Sequence, residues 1–317
     1  MPAGVNHIVF AEKFDREAVR RMEQYGRVTH LESCDEESLR SAVSDCDALL
    51  IRSVSRITRT VFNAANHLRV IGRGGVGLEN VDLQAAAEKG VVVVHTPAAA
   101  TDAVADLTVG LIIALVRNLV AGDKSVRAGE FQSFRDCVRS RELAGLTIGI
   151  VGLGRIGRAV ARRCRHGFDM TVLYNDIVSP GWTDFVGHPV SKEELYGRSD
   201  IISLHVPLTD QTRHMITERT LGHFKSGAVL INTSRGAVVD GAALAEALCA
   251  GRIAGAALDV FDPEPIPAKH PLMHAPNTLF TPHIGARTHA GLARMNAVVE
   301  DVIRVLTGER PHYRYSP

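Results

Sequence analysis

Short β-branched apolar runs alternate along this chain with longer stretches whose apolar residues recur every three or four positions. That alternation predicts strand–helix–strand units and parallel sheets. In the first hundred residues the runs are His7–Phe10, Ala48–Ile51, Val70–Ile71 and Val91–Val94, with helical patterns such as Arg16–Tyr25 and Ser38–Ala42 between them. Thr101 and Asp102 can cap a long helix reaching about Asn118. The stretch Asp123 to Glu142 is polar and basic and shows no clear period. Alternation restarts at Thr147, with runs at Ile148–Val151, Thr171–Tyr174, Ile201–Leu204, Ala228–Ile231, Ala256–Leu258 and Thr278–Phe280. From about Ala290 to Leu306, Leu292, Met295, Val298, Val299, Val302, Ile303 and Leu306 fall on one helical face.

A chain of 317 residues exceeds one ordinary core and suits two domains. The two blocks of alternation mark them. The last helix follows the second block but can pack back on the first, which makes the first domain discontinuous.

Gly152-Leu153-Gly154-Arg155-Ile156-Gly157 stands directly after the buried-strand run Thr147–Val151 and opens a helical stretch, Arg155 to Arg165. That context turns a weak glycine pattern into a dinucleotide-binding fingerprint. Gly152 permits the tight turn, Gly154 lets backbone approach a pyrophosphate, and Gly157 allows helix and strand to pack closely. The helix N-terminus presents N–H groups and partial positive charge to phosphates. Asp176 follows Gly157 by 19 positions, where a carboxylate accepts from ribose hydroxyls and repels a 2′-phosphate. No Arg or Lys follows Asp176 until Lys192, which favours NAD over NADP.

Charge and composition narrow the remaining classes. The net charge of +1 offers no global field for nucleic acid or an anionic membrane, and neither is expected as a partner. Arg155, Arg158, Arg162, Arg163 and Arg165 then read as a solvated helix face with phosphate-facing residues at its start. The most lipid-like stretch, Leu107 to Val116, is about half the ~20 residues a membrane span needs, so it reads as a buried helix. His7, Glu12 and Lys13 leave the N-terminus without a signal peptide's apolar core. The five scattered cysteines form no CxxC and read as free thiols of a reducing cytoplasm. His270 and His274 are four apart, but Pro271 and Pro276 make a regular helix doubtful, and no metal is expected.

Hydride transfer between an alcohol carbon and nicotinamide needs a base for the hydroxyl proton and a fixed cation for the carboxylate. His283, in Pro282-His283-Ile284-Gly285, suits the first role because imidazole ordinarily titrates near neutrality. Arg235, in Asn232-Thr233-Ser234-Arg235-Gly236, can grip a carboxylate bidentately. Glu264, in Asp262-Pro263-Glu264-Pro265, can hold the imidazole.

These segments resemble the D-isomer-specific 2-hydroxyacid dehydrogenase family over nearly the whole chain. The likeness rests on Gly152–Gly157 with Asp176, His205-Val206-Pro207-Leu208-Thr209, Leu230 to Gly236, Ala257 to Pro265, and Thr281 to Gly285. It implies two Rossmann-like doubly wound α/β domains flanking a cleft, the NAD-binding domain (100–287) inserted into a discontinuous substrate domain (1–99 and 288–317). It implies Arg235, Glu264 and His283 as the catalytic set. On the cofactor side it places Gly152, Gly154, Arg155, Ile156, Gly157, Asp176, His205, Pro207, Thr233, Asp259 and Gly285, with Asp259 at the nicotinamide carboxamide. It also implies a homodimer formed through the cofactor domain.

Arg52, Ser53, Arg73, Gly74, Gly75 and Val76 match the family's substrate loops. Ile51-Arg52-Ser53 and Ile71 to Gly77 look most like the 3-phosphoglycerate dehydrogenase branch, and Arg52 and Arg73 would suit a phosphorylated substrate. With the chain ending at Pro317, no regulatory domain and no serine feedback are expected. His95-Thr96-Pro97 departs from the family's more usual Asn-Thr-Pro. The motifs do not exclude a glyoxylate or hydroxypyruvate reductase, and the complete Arg235, Glu264 and His283 set argues weakly against the alternative of an NAD(H)-sensing corepressor-like protein. Arg135, Arg139 and Arg141 read either as surface residues or as neighbours of a dimer partner's cleft.

Overall fold

A computed structural model describes residues 6–178 and 187–315, which form two compact units. One comprises Met1–Ala100 with Arg287–Pro317, and the other, Thr101–Ala286, is a single span interrupting it. The first unit contains β1 (Asn6–Phe10), α1 (Arg16–Glu23), β2 (Gly26–His30), α2 (Glu36–Val43), β3 (Ala48–Ile51), α3 (Arg59–Ala64), β4 (Val70–Arg73), α4 (Leu83–Glu88) and β5 (Val92–His95). The second contains α5 (Thr101–Val116), α6 (Leu119–Arg127), α7 (Phe131–Cys137), β6 (Thr147–Val151), α8 (Arg155–Phe168), β7 (Thr171–Asn175), β8 (His188–Pro189), α9 (Lys192–Arg198), β9 (Ile201–Leu204), α10 (Glu218–Leu221), β10 (Val229–Asn232), α11 (Gly241–Cys249), β11 (Gly255–Leu258) and β12 (Thr278–Phe280). The chain then returns to the first unit with α12 (His289–Asn296) and α13 (Val298–Leu306).

Both sheets are parallel throughout. The first runs β2-β1-β3-β4-β5, with its order reversing between β1 and β3. The second runs β12-β11-β10-β9-β6-β7-β8 and reverses between β6 and β9. All residues of β3, β9, β10 and β11 are buried, because helices cover both sheet faces and leave no strand side to solvent. Ligands of such folds bind outside the carboxyl ends of the strands at the reversal. In the second unit that place belongs to the loops after β6 and β9, and in the first to those after β1 and β3.

Several elements differ from the sequence expectation. The long helix stops at Val116, and Asn118 at φ 55° separates it from α6. The aperiodic stretch 123–142 holds the second half of α6 and all of α7, two short helices whose apolar residues stay largely exposed and so leave no buried stripe to read. The final helix is two, α12 and α13, meeting at Ala297. Strand β2 carries no expected run because it is a half-exposed edge. Arg141 is no loose surface residue: it donates to Asp200 at 2.7 Å, beside Lys225, at the start of the second sheet. Among the described residues no single helix is long and apolar enough to cross a membrane.

Candidate active site

The glycine loop sits at the reversal point of the second sheet. Gly152 adopts φ 90°, and a Cβ there would lie 2.5 Å from the His205 carbonyl, so the loops after β6 and β9 touch. A Cβ on Gly157 would overlap the Gly152 carbonyl, which explains the glycine at that helix–turn contact. Gly154, the N-cap of α8, instead has open space where its Cβ would stand. A close-approaching phosphate fits that space, in line with the first-turn N–H groups of Arg155, Ile156 and Gly157. Asp176 closes the loop's other side, accepting from Leu153 N–H at 2.5 Å and from Val178 N–H at 2.9 Å. The loop therefore fits a dinucleotide. The basic face of α8 is partly engaged, Arg163 donating to Asp106 at 2.8 Å and to Asp102 at 3.2 Å.

His205 hydrogen-bonds through Nε2 to buried Ser203 Oγ at 2.8 Å. Part of its surface is open, but desolvation of the ring pushes its pKa down to about 3. The imidazole is neutral at working pH. Thr233, assigned to the cofactor side by resemblance, bonds its hydroxyl to Thr108 Oγ1 at 2.9 Å. Thr108 already donates to the Val104 carbonyl, so Thr233 is the donor.

Arg235 is aimed by a tight turn after β10. Asn232 Oδ1 accepts from Ser234 N–H at 3.0 Å and Ser234 Oγ at 2.8 Å, while its Nδ2 donates to the Arg235 carbonyl at 2.9 Å. Arg235 Nη1 donates to the Ser234 carbonyl at 2.7 Å. Gly236 lies against the Phe261 backbone so closely that a Cβ would overlap it. This contact brings the arginine turn to the loop carrying Glu264.

His283 enters through a second turn built on Asp259. The His283 N–H donates to the Asp259 carbonyl at 2.8 Å while the residue adopts φ 52°. A left-handed histidine costs roughly 1 kcal/mol and needs such fixing. Asp259 is 1% exposed; Oδ1 accepts from Thr281 Oγ1 at 2.5 Å and Ile284 N–H at 2.9 Å, and Oδ2 from Gly285 N–H at 2.9 Å. The carboxylate thus anchors the 281–285 turn, and Oδ2, with one partner, keeps acceptor capacity.

The two turns bring His283 and Glu264 together. His283 Nδ1 donates to Glu264 Oε2 at 2.8 Å, and Oε1 accepts from Phe261 N–H at 3.0 Å. Burial raises the Glu264 pKa, but the His283 hydrogen bond, the Phe261 N–H and the charges of His283 and Arg235 outweigh it, holding the carboxyl below its usual range. The side chains are 46% and 38% exposed, so the pair contributes only about 1 kcal/mol or less to stability. Its effect is orientation: with Nδ1 bound, Nε2 is the nitrogen left to exchange a proton.

In the first unit, Gly74 N–H donates to the Ile51 carbonyl at 2.9 Å, joining the loops after β3 and β4. Gly75 has φ 155° with the Arg73 guanidinium folded over it. His95 Nδ1 donates to the Val76 carbonyl at 2.9 Å and Thr96 N–H to that of Gly75 at 3.0 Å, so the departure at position 95 backs the Gly74–Val76 loop. Arg52 lies over Phe14, 4.4 Å from the ring centre. Sequence reasoning missed Asn232, and only its place in an Asn-Thr-Ser turn hinted at it.

The chain belongs to the D-isomer specific 2-hydroxyacid dehydrogenase family, whose NAD binding domain matches residues 109–285. The chain is 39% identical over 95% of its length to D-3-phosphoglycerate dehydrogenase of Methanocaldococcus jannaschii, and it spans 58% of that relative. It is 44% identical over 87% of its length to glyoxylate reductase of Thermofilum pendens, spanning 83% of it. The crystal structure of TT0316 protein from Thermus thermophilus matches with a TM-score of 0.90 at 36% identity, covering 98% of this chain and 100% of that one.

Proposed function

We propose that the protein interconverts a D-2-hydroxy acid and its 2-keto acid with NAD, and that 3-phosphoglycerate and 3-phosphohydroxypyruvate are its substrate pair. The carrying observation is the His283–Glu264 hydrogen bond of 2.8 Å, with the Arg235 charge close enough to act on Glu264.

In the oxidising direction His283 Nε2 takes the proton of the substrate hydroxyl, and in the reducing direction it returns that proton to the carbonyl oxygen. Glu264 keeps the ring in place and balances the charge that develops on it. Arg235 holds the substrate carboxylate and polarises the carbonyl. The dinucleotide, when bound, exchanges the hydride with the substrate's C2. Gly152, Gly154, Arg155, Ile156 and Gly157 receive its pyrophosphate and Asp176 its ribose, with His205, Pro207, Thr233, Asp259 and Gly285 completing that side. The backbone of Gly74, Gly75 and Val76 and the Ser53 amide hold the substrate carboxylate, while Arg52 and Arg73 attract a phosphorylated end.

A second reading, glyoxylate or hydroxypyruvate reduction, is favoured by the identity to glyoxylate reductase. NADH oxidation with 3-phosphohydroxypyruvate, hydroxypyruvate, glyoxylate and pyruvate separates them. The highest kcat/KM on the phosphorylated acid supports the first reading, a preference for glyoxylate or hydroxypyruvate replaces it with the second, and no turnover with any of them overturns both.

The exposed apolar residues Leu119 (53%), Val126 (58%) and Phe131 (57%) on α6 and α7 support a homodimer formed through this region. Five free cysteines support a reducing, cytoplasmic setting.

A further inference from the structure

The first sheet reverses between β1 and β3, and the loops there carry Glu12 and Arg52. Glu12 Oε1 accepts from Arg52 N–H at 2.8 Å, Ser55 N–H at 2.9 Å and Ser55 Oγ at 2.8 Å, and Oε2 accepts from Val54 N–H at 3.3 Å. From the other side Asn80 Nδ2 donates to the carbonyls of Arg52 at 2.9 Å and Ser55 at 2.7 Å. One carboxylate and one amide thus fix both polarities of the loop backbone.

The Arg52 side chain is fixed separately. Its Nε donates to the Lys13 carbonyl at 2.9 Å, its plane covers Phe14, and its Nη2 donates to Asn296 Oδ1. Asn296, 6% exposed on α12, donates through Nδ2 to Asp15 Oδ2, while Asp15 Oδ1 caps α1 at Ala18 N–H, 2.8 Å away. Burial lowers the Arg52 pKa; Glu12 and Asp15 oppose that, and Arg287 is near enough to reinforce it. A guanidinium stays charged nonetheless. A buried amide aiming an arginine at a sheet's reversal point is an arrangement suited to an anion.

We infer that Asn296, Glu12 and Asn80 are positioning residues for the anionic far end of the substrate. Glu12 and Asn80 set the backbone of residues 52–55, and Asn296 aims the Arg52 guanidinium. This rests on the reading above that Arg52 meets a phosphorylated substrate. Loss of a held charge-assisted contact then raises KM for that substrate and leaves smaller acids little affected.

The test is steady-state NADH oxidation with 3-phosphohydroxypyruvate and glyoxylate. Asn296→Leu should raise KM for 3-phosphohydroxypyruvate about tenfold with kcat within about twofold, and change glyoxylate kcat/KM by less than about threefold. Adding it to Arg52→Ala should cost nothing further, because groups acting through one another are not additive. The exchange Asp15→Asn with Asn296→Asp keeps the charge, the cap and an acceptor for Arg52, and should restore KM to within about threefold. Asn296→Ser, whose side chain is too short to reach Arg52, should show the same selective loss should Asn296→Leu not fold. If Arg52→Ala discriminates between the substrates but Asn296→Leu adds its full loss to it, the inference fails and the substrate reading stands. If Arg52→Ala weakens both substrates equally, the substrate reading falls and takes the inference with it.

Discussion

His283 Nδ1 and Glu264 Oε2 lie 2.8 Å apart although 19 positions of chain, the strand β12 among them, separate the two residues. Two anchors make that meeting reproducible: buried Asp259 holds the histidine's turn and the Phe261 N–H holds the carboxylate. With His283 as the proton-exchanging group, His283→Ala should lower kcat about a thousandfold. NADH affinity, followed by fluorescence titration, should stay within about twofold. A variant retaining a tenth of the activity would remove His283 from the role.

On the role proposed for Arg235, Arg235→Gln removes the charge that would hold the substrate carboxylate. The loss of a charge-assisted contact of roughly 1.5–3 kcal/mol corresponds to a 10- to 100-fold drop in kcat/KM. Saturation curves check it, and a thermal melt of the variant separates a binding effect from unfolding.

Asp176 lies beside the glycine loop, bonded to Leu153 and Val178 N–H groups. Asp176→Ser should raise KM for NADH about tenfold and narrow the preference over NADPH, since repulsion of a 2′-phosphate disappears. Parallel titrations with both cofactors measure the ratio. An unchanged ratio would mean that another group selects the cofactor.

His205 is neutral in the folded protein down to about pH 3, whereas in the unfolded chain it takes a proton below about pH 6.5. The unfolded state therefore binds more protons in that window, and stability falls as pH drops from about 6.5 toward about 3. Above it both states are neutral and no such loss occurs. Urea denaturation across the range should show a shallower acid decline for His205→Gln than for the wild type.

The chemistry was legible in the sequence because its parts are local. Gly152–Gly157 is a single turn, so each glycine's reason lies within a few residues of it, and the open space at Gly154 matches that reasoning. His283 and Arg235 announced themselves through short turn motifs after apolar runs. The strands of the second sheet other than the short, exposed β8 were equally readable, since burial leaves apolar runs with little ambiguity. Where burial is partial the signal fails: β2 is a half-exposed edge, and α6 and α7 keep apolar residues in solvent.

Sequence by itself determined which chemical groups this protein owns and the parallel α/β frame that carries them. Composition, period and turn chemistry are properties of neighbouring residues, and these suffice for such statements. Tertiary structure decided what each group is tied to. Asp259 became the anchor of the histidine turn, and Asn296 the partner of an arginine 244 residues away. Those ties depend on strand order and helix packing, which bring distant carboxylates and amides to backbone groups that no local pattern names.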